Sequence, residues 1–221
     1  MKVILFGATG MVGQGVLREC LLDPRVDSVL CVGRTSAGQT AEKLQEILLQ
    51  NLADLTAIEE RLRGLDACFF CLGVASAGMS EADYRRVTYD LTVGVGQTLA
   101  RLNPGMTFVY ISGAGTDSTE HGRSLWARVK GQTENALLRM PFKAAYMFRP
   151  GVIQPLHGIH SKTGSYRFLY VLMWPFIPIA KALAPNSVTT TERMGRAMIQ
   201  VALQGPPMHI LGTREINELA K

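Results

Sequence analysis

The stretch GATGMVG, residues 7–13, decides the fold of this chain. It follows the β-rich run KVILF at 2–6 and opens a segment whose apolar residues have helical spacing. The three glycines permit, in order, a tight turn, a close approach of the backbone to a pyrophosphate and close packing of helix on strand. The free N–H groups at the start of the helix favour an anion there. The motif therefore predicts a dinucleotide site rather than a purely structural turn.

Strand-like and helix-like segments alternate over most of the chain. Further strands are predicted at 27–33, 51–55, 66–73, 106–113 and 143–151, and helices at 41–50, 57–64, 80–104 and 125–140. This alternation is typical of right-handed βαβ crossovers and of a doubly wound parallel sheet, the Rossmann α/β fold. We expect 1–221 to form a single NAD(P)-binding domain. Within it, 151–221 would form a small C-terminal substrate-side portion, whose closing helix begins at a run of threonines.

Composition and charge exclude several classes of protein. Of the 221 residues, 47% are hydrophobic and only 19% are charged, which argues against disorder. The net charge of +5 is dispersed along the chain, and no nucleic-acid motif accompanies it, so no nucleic-acid partner is expected. No metal site is predicted. The apolar core of the late stretch, Phe168–Ala180, is too short for a spanning helix, and a soluble protein is expected.

The cysteines are predicted to be buried free thiols. Cys68 and Cys71 have C-x-x-C spacing, but the surrounding DACFFCLG is typical of a buried strand rather than the start of a helix. Side chains three apart on a strand point to opposite faces, which separates the two sulfurs. Free thiols suit a reducing compartment, and no signal peptide precedes the first strand, so a cytoplasmic location is expected.

The end of the second strand indicates which dinucleotide binds. An NAD site places Asp or Glu there to accept a hydrogen bond from the ribose 2′-hydroxyl. This chain instead has Arg34, followed by Thr35 as an added donor, and a guanidinium pairs well with a 2′-phosphate. NADP(H) is therefore predicted over NAD(H). Asp54 and Leu55 stand at the end of the weak strand at 51–55, where the carboxylate would either meet the adenine amino group or cap a helix.

A set of motifs occurs in the order found in one enzyme superfamily. They are GATGMVG, GR at 33–34, DL at 54–55, CLG at 71–73, YISGAG at 110–115, VKGQTE at 129–134 and FRPG at 148–151. Over residues 2–200 the chain resembles an atypical member of the short-chain dehydrogenase/reductase superfamily. The resemblance is to the NAD(P)-binding branch that includes the Tat-interacting oxidoreductase-like proteins.

The resemblance implies a role for each matching position. The residues that would line the diphosphate are Gly7, Thr9, Gly10, Met11, Val12 and Gly13. Cys71, Leu72 and Gly73 would pass beside the adenosine ribose. Ser112 would bind a substrate carbonyl and Lys130 would hold the nicotinamide ribose. Pro150, Gly151 and Val152 would flank the nicotinamide.

Trp126 is the departure from the superfamily pattern, because it stands where the catalytic tyrosine is expected, four residues before Lys130. An indole N–H can donate a hydrogen bond but has no accessible ionisation, so it cannot transfer the proton. Tyr110 is interpreted as a core residue. The histidines His121, His157 and His160 are interpreted as surface residues more readily than as replacement acids.

Two classes of function stay open. The chain is either an NADPH-dependent oxidoreductase or isomerase with an unknown small, partly apolar substrate, or a catalytically silent NADP(H)-binding redox sensor or interaction protein. The complete cofactor motif favours the enzyme, and Trp126 favours the silent protein. The apolar segment at 166–183 is interpreted as a buried or homodimer-forming helix pair, in preference to a substrate lid or a membrane-surface contact.

Overall fold

The computed structural model describes residues 1–159 and 187–221, which form a parallel α/β fold. The strands are β1 (Lys2–Phe6), β2 (Ser28–Gly33), β3 (Leu44–Leu48), β4 (Ala67–Phe70), β5 (Thr107–Ile111), β6 (Ala144–Arg149), β7 (Val152–Gln154), β8 (Val188–Thr190) and β9 (Ile210–Gly212). The α-helices are α1 (Met11–Leu22), α2 (Glu81–Arg85), α3 (Leu91–Leu102), α4 (Leu125–Leu138), α5 (Thr191–Gln204) and α6 (Thr213–Leu219). A 3-10 helix spans Thr56–Leu62 and a π-helical segment spans Arg86–Asp90.

The sheet has the strand order of a dinucleotide-binding fold. Seven strands pair in the order β3-β2-β1-β4-β5-β6-β9, and every pairing is parallel. The order reverses between β1 and β4, and ligands of such sheets bind at that crossing, beyond the carboxyl ends of the strands. β7 and β8 form a separate two-stranded sheet. The predicted Rossmann fold is confirmed, whereas the single-domain boundary stays a prediction.

Two hydrophobic cores cover the two faces of the sheet, and β1 contributes to both. Val3 and Leu5 point into the core shared with α1 and α5, while Ile4 and Phe6 point into the core shared with α3. All four side chains are fully buried. Burial of each such side chain is worth about 1.5–3 kcal/mol, so the strand that precedes the glycine turn is firmly anchored.

The third strand is where the sequence prediction is wrong. The segment 41–50 was predicted as a helix and 51–55 as a strand, but β3 lies at Leu44–Leu48 and a turn follows it. Leu, Glu and Gln favour helices, yet this stretch pairs in register with β2, and sheet pairing overrides such weak local preferences. Turn geometry after β3 comes from Asn51, whose side chain accepts a hydrogen bond from the N–H of Ala53 at 3.1 Å.

The predicted helices at 80–104 and 125–140 and the closing helix are present, whereas 57–64 forms the 3-10 helix Thr56–Leu62, and α6 was not predicted. The predicted helix at 80–104 is present, capped by the Ser80 hydroxyl on the N–H of Asp83, but a π-helical turn interrupts it between α2 and α3. The closing helix α5 begins at Thr190, whose hydroxyl accepts from the N–H of Arg193. The last strand, β9, was not predicted, and it extends the parallel sheet beyond β6.

The apolar segment at 166–183, with its lid, dimer and membrane-surface interpretations, lies outside the described residues. So does His160. Among residues 1–159 and 187–221, no helix has the length and apolar character to cross a bilayer.

Candidate functional site

The glycine loop brings the backbone as close to its neighbours as the sequence predicts. Gly7 has a φ of 84°, and a Cβ there would lie 2.8 Å from the backbone of Cys71 and Leu72. A Cβ on Gly13 would lie 1.9 Å from the carbonyl oxygen of Gly7, so helix and turn can meet only without a side chain. Gly10 is the N-cap of α1, whose first turn carries no acidic side chain. The positive end of this helix is thus open to an anion.

A cavity of about 400 Å³ opens beside this loop, on the side of β2 and β3. Its walls are the glycine loop, the end of β2, one side of β3 and the residue after β4: Gly7, Ala8, Thr9, Cys31, Val32, Gly33, Arg34, Thr35, Glu46, Leu48, Gln50, Leu52 and Leu72. Five predicted cofactor residues therefore meet in it. Its position on the β2 side of the crossing is where the adenosine half of a dinucleotide binds in this fold.

Arg34 and Glu46 are the charged side chains of this adenosine-side cavity. Arg34 is exposed, and within the described ranges it has no hydrogen bond or ion pair. Glu46 is the acidic residue that sequence reasoning missed, because its strand was predicted as a helix. Its carboxylate accepts hydrogen bonds of 2.7 Å from the hydroxyl of Ser36 and from the N–H of Ala37. Glu46 therefore holds the loop that follows Arg34.

Asp54 and Leu55 do not reach this cavity. Asp54 accepts a hydrogen bond from the N–H of Thr56 at 3.0 Å, and this bond lowers the pKa of its carboxyl group. Asp54 therefore caps the helical turn that starts at Thr56, which is the second of the two roles expected for it. Leu55 is buried in the core on the α3 face of the sheet. Both were expected to follow the third strand directly, but the true β3 ends at Leu48.

A second cavity, of about 290 Å³, lies at the ends of β4 and β5. Its walls are Val74, Ala75, Ser76, Tyr84, Ser112, Trp126 and Lys130. The structure thus brings together Ser112 and Lys130, as the sequence predicts. Leu72 lines the first cavity and Val74 the second, so the segment after β4 separates them. We call this second space the catalytic-side cavity.

Backbone carbonyl groups at the end of β5 hold the ammonium group of Lys130. Its Nζ donates to the carbonyl oxygen of Ser112, and lies 3.4 Å from that of Ile111. It also lies 5.9 Å from the ring centre of Tyr110. Burial lowers the pKa of Lys130 from 10.5 to about 8, although Glu134 opposes the shift. The ammonium group is therefore close to its titration point at the mouth of a partly apolar space.

The side chain of Ser112 is hydrogen-bonded to a buried carboxylate. Its hydroxyl donates to Glu134, which is fully buried, and lies 3.1 Å from the carbonyl oxygen of Phe148. Arg149 neutralises Glu134 through its Nε, 3.0 Å away, and through a second nitrogen. A buried carboxylate needs such partners. The expected contact of Ser112 with a substrate carbonyl requires its hydroxyl to turn away from Glu134.

Trp126 covers the glycine turn that follows β5. A Cβ on Gly115 would lie 3.4 Å from its indole ring, and one on Gly113 would lie 3.9 Å away. Tyr110 is buried in the core as predicted, and burial raises the pKa of its phenol well above the usual value. His121 and His157 line neither cavity, and His157 lies 2.7 Å from Glu192.

Tyr84 is a wall residue that sequence reasoning did not consider. It is 1% exposed and lies on α2, far along the chain from Lys130. Two contacts hold α2 on α4. Both carboxylate oxygens of Glu81 accept a hydrogen bond of 2.9 Å from the guanidinium of Arg128. The guanidinium of Arg85 donates to the side-chain oxygen of Gln132 at 2.6 Å. No sequence motif marks this pairing of helices.

The remaining predicted residues follow the carboxyl ends of β4 and β6. Cys71 donates its backbone N–H to the carbonyl oxygen of Phe6, which continues the β1–β4 pairing up to the glycine loop. The carbonyl oxygen of Pro150 accepts from the N–H of Ala114 at 2.8 Å. Gly151 donates to the hydroxyl of Thr213, also at 2.8 Å, and Val152 begins β7. These segments lie at the same edge of the sheet as the two cavities.

A larger cavity, of about 620 Å³, has no place in this site. It is lined by the segment that follows α1 and by the ends of α5 and α6, including Asp23, Gln204 and Lys221. These residues lie at the amino ends of the strands, opposite the edge where ligands of such sheets bind. Elsewhere in the described part of the chain, no cluster of three His, Cys, Asp or Glu side chains could hold a metal ion.

The sheet order and the glycine loop together define a Rossmann fold of the dinucleotide-binding kind. A family model described as "Semialdehyde dehydrogenase, NAD binding domain" matches residues 2–87. The PhqB reductase domain from Penicillium fellutanum superimposes with a TM-score of 0.70 at 17% identity, covering 96% of this chain and 66% of that one. At this identity the likeness shows the shared fold.

Curated relatives confirm the more specific resemblance. Protein FMP52-2, mitochondrial, from Scheffersomyces stipitis is 26% identical over 98% of this chain and 96% of its own length. Protein HTATIP2 from Rattus norvegicus is 27% identical over 69% of this chain and 62% of its own length. The chain resembles the atypical, NAD(P)-binding branch of short-chain dehydrogenases/reductases that includes the Tat-interacting proteins, as its motifs predict.

The cytoplasmic location expected from the sequence is contradicted. The FMP52 relatives from three fungi are named as mitochondrial proteins, which points away from the cytoplasm. The cysteines were a poor guide to the compartment, because Cys20, Cys31 and Cys68 are buried. A thiol enclosed in a core is protected from oxidation whatever its surroundings.

Proposed function

We propose that this protein is an NADP(H)-dependent oxidoreductase that acts on a small, partly apolar carbonyl compound. The observation that carries the proposal is the pair of cavities at the carboxyl edge of the sheet, one beside the glycine loop and one holding Lys130. A dinucleotide laid across the glycine loop would reach from the first to the second. When bound, the nicotinamide supplies a hydride to the substrate carbon.

The guanidinium of Arg34, which has no partner among residues 1–159 and 187–221, supports NADP(H) over NAD(H). A 2′-phosphate carries charge that Arg34 can pair with, and Thr35 adds a donor beside it. Glu46 would favour the NAD ribose if its oxygens were free, but both oxygens already accept hydrogen bonds from the loop. Of the two charged side chains in this cavity, Arg34 is therefore the one that can still form hydrogen bonds with a ligand.

The walls of the catalytic-side cavity indicate the substrate class. Val74, Ala75 and Trp126 make part of the surface apolar, while Ser76, Tyr84 and Lys130 add donors. This arrangement suits an oxygen atom attached to a small apolar body. We assign Lys130 to the nicotinamide ribose and Ser112 to the substrate side, where its hydroxyl would act after turning from Glu134.

Titration of the protein with NADPH and NADH, followed by fluorescence, tests the cofactor proposal. We expect NADPH to bind more tightly, and Arg34→Ala to weaken NADPH binding by about 10-fold or more while changing NADH binding little. Arg139→Ala is the matched control, because Arg139 is also exposed and unpaired in the described structure but lies at the far end of α4. Equal loss in both variants, or no binding of either nucleotide, would refute the proposal.

A second function remains in view because of Trp126, which cannot exchange a proton at the reacting oxygen. If NADPH binds and no carbonyl compound is reduced, the protein is a silent NADP(H)-binding sensor or interaction protein. Such a protein would associate with a partner in a cofactor-dependent way. A screen of aldehydes, ketones and quinones for NADPH oxidation separates the two functions.

A further inference from the structure

We infer that Ser112 accepts a hydrogen bond from the substrate instead of donating one, and that the substrate is a hydroxy carbonyl compound, with a hydroxyl group next to its carbonyl. Glu134 is the positioning residue that sets this preference. The inference rests on the proposed reductase function and names its substrate class. It follows from the hydrogen bonds that already engage the Ser112 side chain.

The single hydroxyl proton of Ser112 is already engaged. A serine hydroxyl has one proton to donate and two lone pairs that accept. The proton is directed at the carboxylate of Glu134, and the carbonyl oxygen of Phe148 lies 3.1 Å from the same hydroxyl. Both neighbours are acceptors, so they compete for that one proton. The lone pairs accept no hydrogen bond from residues 1–159 or 187–221.

The carboxylate of Glu134 keeps this proton because it is a charged and buried acceptor. Its side chain is fully buried, and Arg149 bonds to it through Nε at 3.0 Å and through a second nitrogen. Hydrogen bonds to an ionised group are roughly twice as strong as those between neutral groups. A neutral substrate carbonyl would therefore offer Ser112 less than it gives up, and would leave a buried carboxylate oxygen with one partner fewer.

The hydroxyl oxygen of Ser112 can still be reached by a ligand. Ser112 is 7% exposed and forms part of the wall of the catalytic-side cavity. The Nζ of Lys130, another wall residue, donates to the backbone oxygen of Ser112, so the cation and the serine are neighbours. A cavity of about 290 Å³ suits a small molecule, in which the donor and the carbonyl group lie close together.

The charges around this wall favour a neutral donor. Burial lowers the pKa of Lys130 to about 8, so its side chain is mainly an ammonium group at pH 7 and repels a second cation. Arg149 already neutralises Glu134. A hydroxyl group meets both conditions. With such a donor, Ser112 acts on the substrate without the turn away from Glu134 that a carbonyl contact would require.

Two ketones of similar shape test the inference. α-Hydroxyacetophenone can donate a hydrogen bond, and α-methoxyacetophenone cannot. Calorimetry measures their affinities for the protein loaded with tetrahydro-NADP, a reduced cofactor analogue that cannot transfer a hydride. We expect the hydroxy ketone to bind about 10-fold more tightly or better, because the methoxy ketone leaves the serine oxygen without a donor. The kcat/KM values for NADPH oxidation should show the same preference.

The ratio of the two affinities is the readout, since general damage to the cavity weakens both ligands together. Ser112→Ala should bring the ratio close to equality, because the acceptor is removed. Glu134→Gln should do the same. Arg149 can only donate, so it keeps the amide oxygen, and the amide N–H then occupies a lone pair of Ser112. Ser112→Ala removes only a hydroxyl group and carries the test if Glu134→Gln does not fold.

Ser118→Ala is the matched control. The Ser118 hydroxyl bonds to the guanidinium of Arg149 and lines neither cavity. Its removal disturbs the ion pair from the far side and leaves the bond between Ser112 and Glu134 in place. The affinity ratio in this variant should equal that of the unaltered protein.

Each remaining outcome has a fixed meaning. Equal or tighter binding of the methoxy ketone, or an unchanged ratio in Ser112→Ala, would overturn the inference and leave the reductase function intact. A loss of NADPH binding in Ser112→Ala would also overturn it, because the serine would then serve the cofactor. Selective binding of the hydroxy ketone without reduction would support the recognition and refute the reductase function. If NADPH binds but neither ketone binds or is reduced, both proposals fall.

Discussion

Lys130 is a charged residue in surroundings that favour its neutral form. Burial lowers its pKa to about 8, from 10.5, and its nearest partners are carbonyl oxygens and the ring of Tyr110. A group held this way costs folding free energy as long as it is protonated. Such a cost at a cavity wall is typical of residues kept for binding or catalysis rather than for stability.

Replacement of Lys130 by methionine should separate stability from function. At pH 7 we expect Lys130→Met to raise the free energy of unfolding by about 1–3 kcal/mol, since the buried ammonium is removed, and to abolish turnover. Lys143→Met, at an exposed lysine, should change stability by less than about 0.5 kcal/mol. Chemical denaturation of the three proteins makes the comparison. A clear loss of stability in Lys130→Met would show that its hydrogen bonds outweigh its desolvation.

The same lysine predicts a pH dependence of stability. Between about pH 8 and pH 10.5 the unfolded chain binds more protons at this site than the folded protein does. The free energy of unfolding of the unaltered protein should therefore gain a rising contribution across this window, and Lys130→Met should lack it. Denaturation at pH 7.5 and at about pH 10 measures the difference. An identical slope in both proteins would contradict the lowered pKa.

At the scale of elements, β3 shows why part of the site escaped prediction. Its composition favours a helix, and only pairing with β2 makes it a strand, so Glu46 was placed on the wrong element. Asp54 consequently lost its expected place after the third strand. The glycine loop, by contrast, is encoded within a few residues and was predicted correctly. Tyr84 was missed for a third reason: it lines the same cavity as Lys130 only because α2 packs on α4.

Glu46 offers a test of cofactor choice at this element. We expect Glu46→Gln to tighten NADPH binding severalfold relative to NADH, because it removes a negative charge near the 2′-phosphate position and keeps an acceptor for Ser36. Glu42→Gln, an exposed residue before β3, is the control. Both affinities come from the same fluorescence titration. Selective weakening of NADH would instead identify Glu46 as an acceptor for the ribose hydroxyl.

For the whole molecule, the sequence predicted the parallel sheet, its strand alternation and its ligand edge. These depend on repeated local patterns that agree with one another. The small sheet of β7 and β8, the addition of β9 and the pair Glu134–Arg149 were not predicted. Each depends on contacts between distant parts of the chain, which neither periodicity nor motif spacing reveals.

The buried thiols should report global unfolding. Cys20, Cys31 and Cys68 lie in the two cores, and burial raises the pKa of each thiol, to about 12 for Cys31. We expect a thiol reagent to label Cys20 and Cys68 only through the unfolded state, with a rate that follows the unfolding free energy in mild denaturant, whereas Cys31 also lines the adenosine-side cavity. Labelling far faster than unfolding would show that one core opens locally.

The bond from Gly151 to Thr213 has a consequence for the order in which the chain matures. The central strand β1 is synthesised first, whereas the segment that would flank the nicotinamide is fastened by a residue synthesised sixty-two positions later. The core beneath β1 and α1 also includes residues of α5, so a nascent chain on the ribosome completes neither part of the ligand edge until the segment up to Thr213 has emerged. A stall before β9 would leave a polypeptide whose segment at Gly151 lacks the hydrogen bond to Thr213.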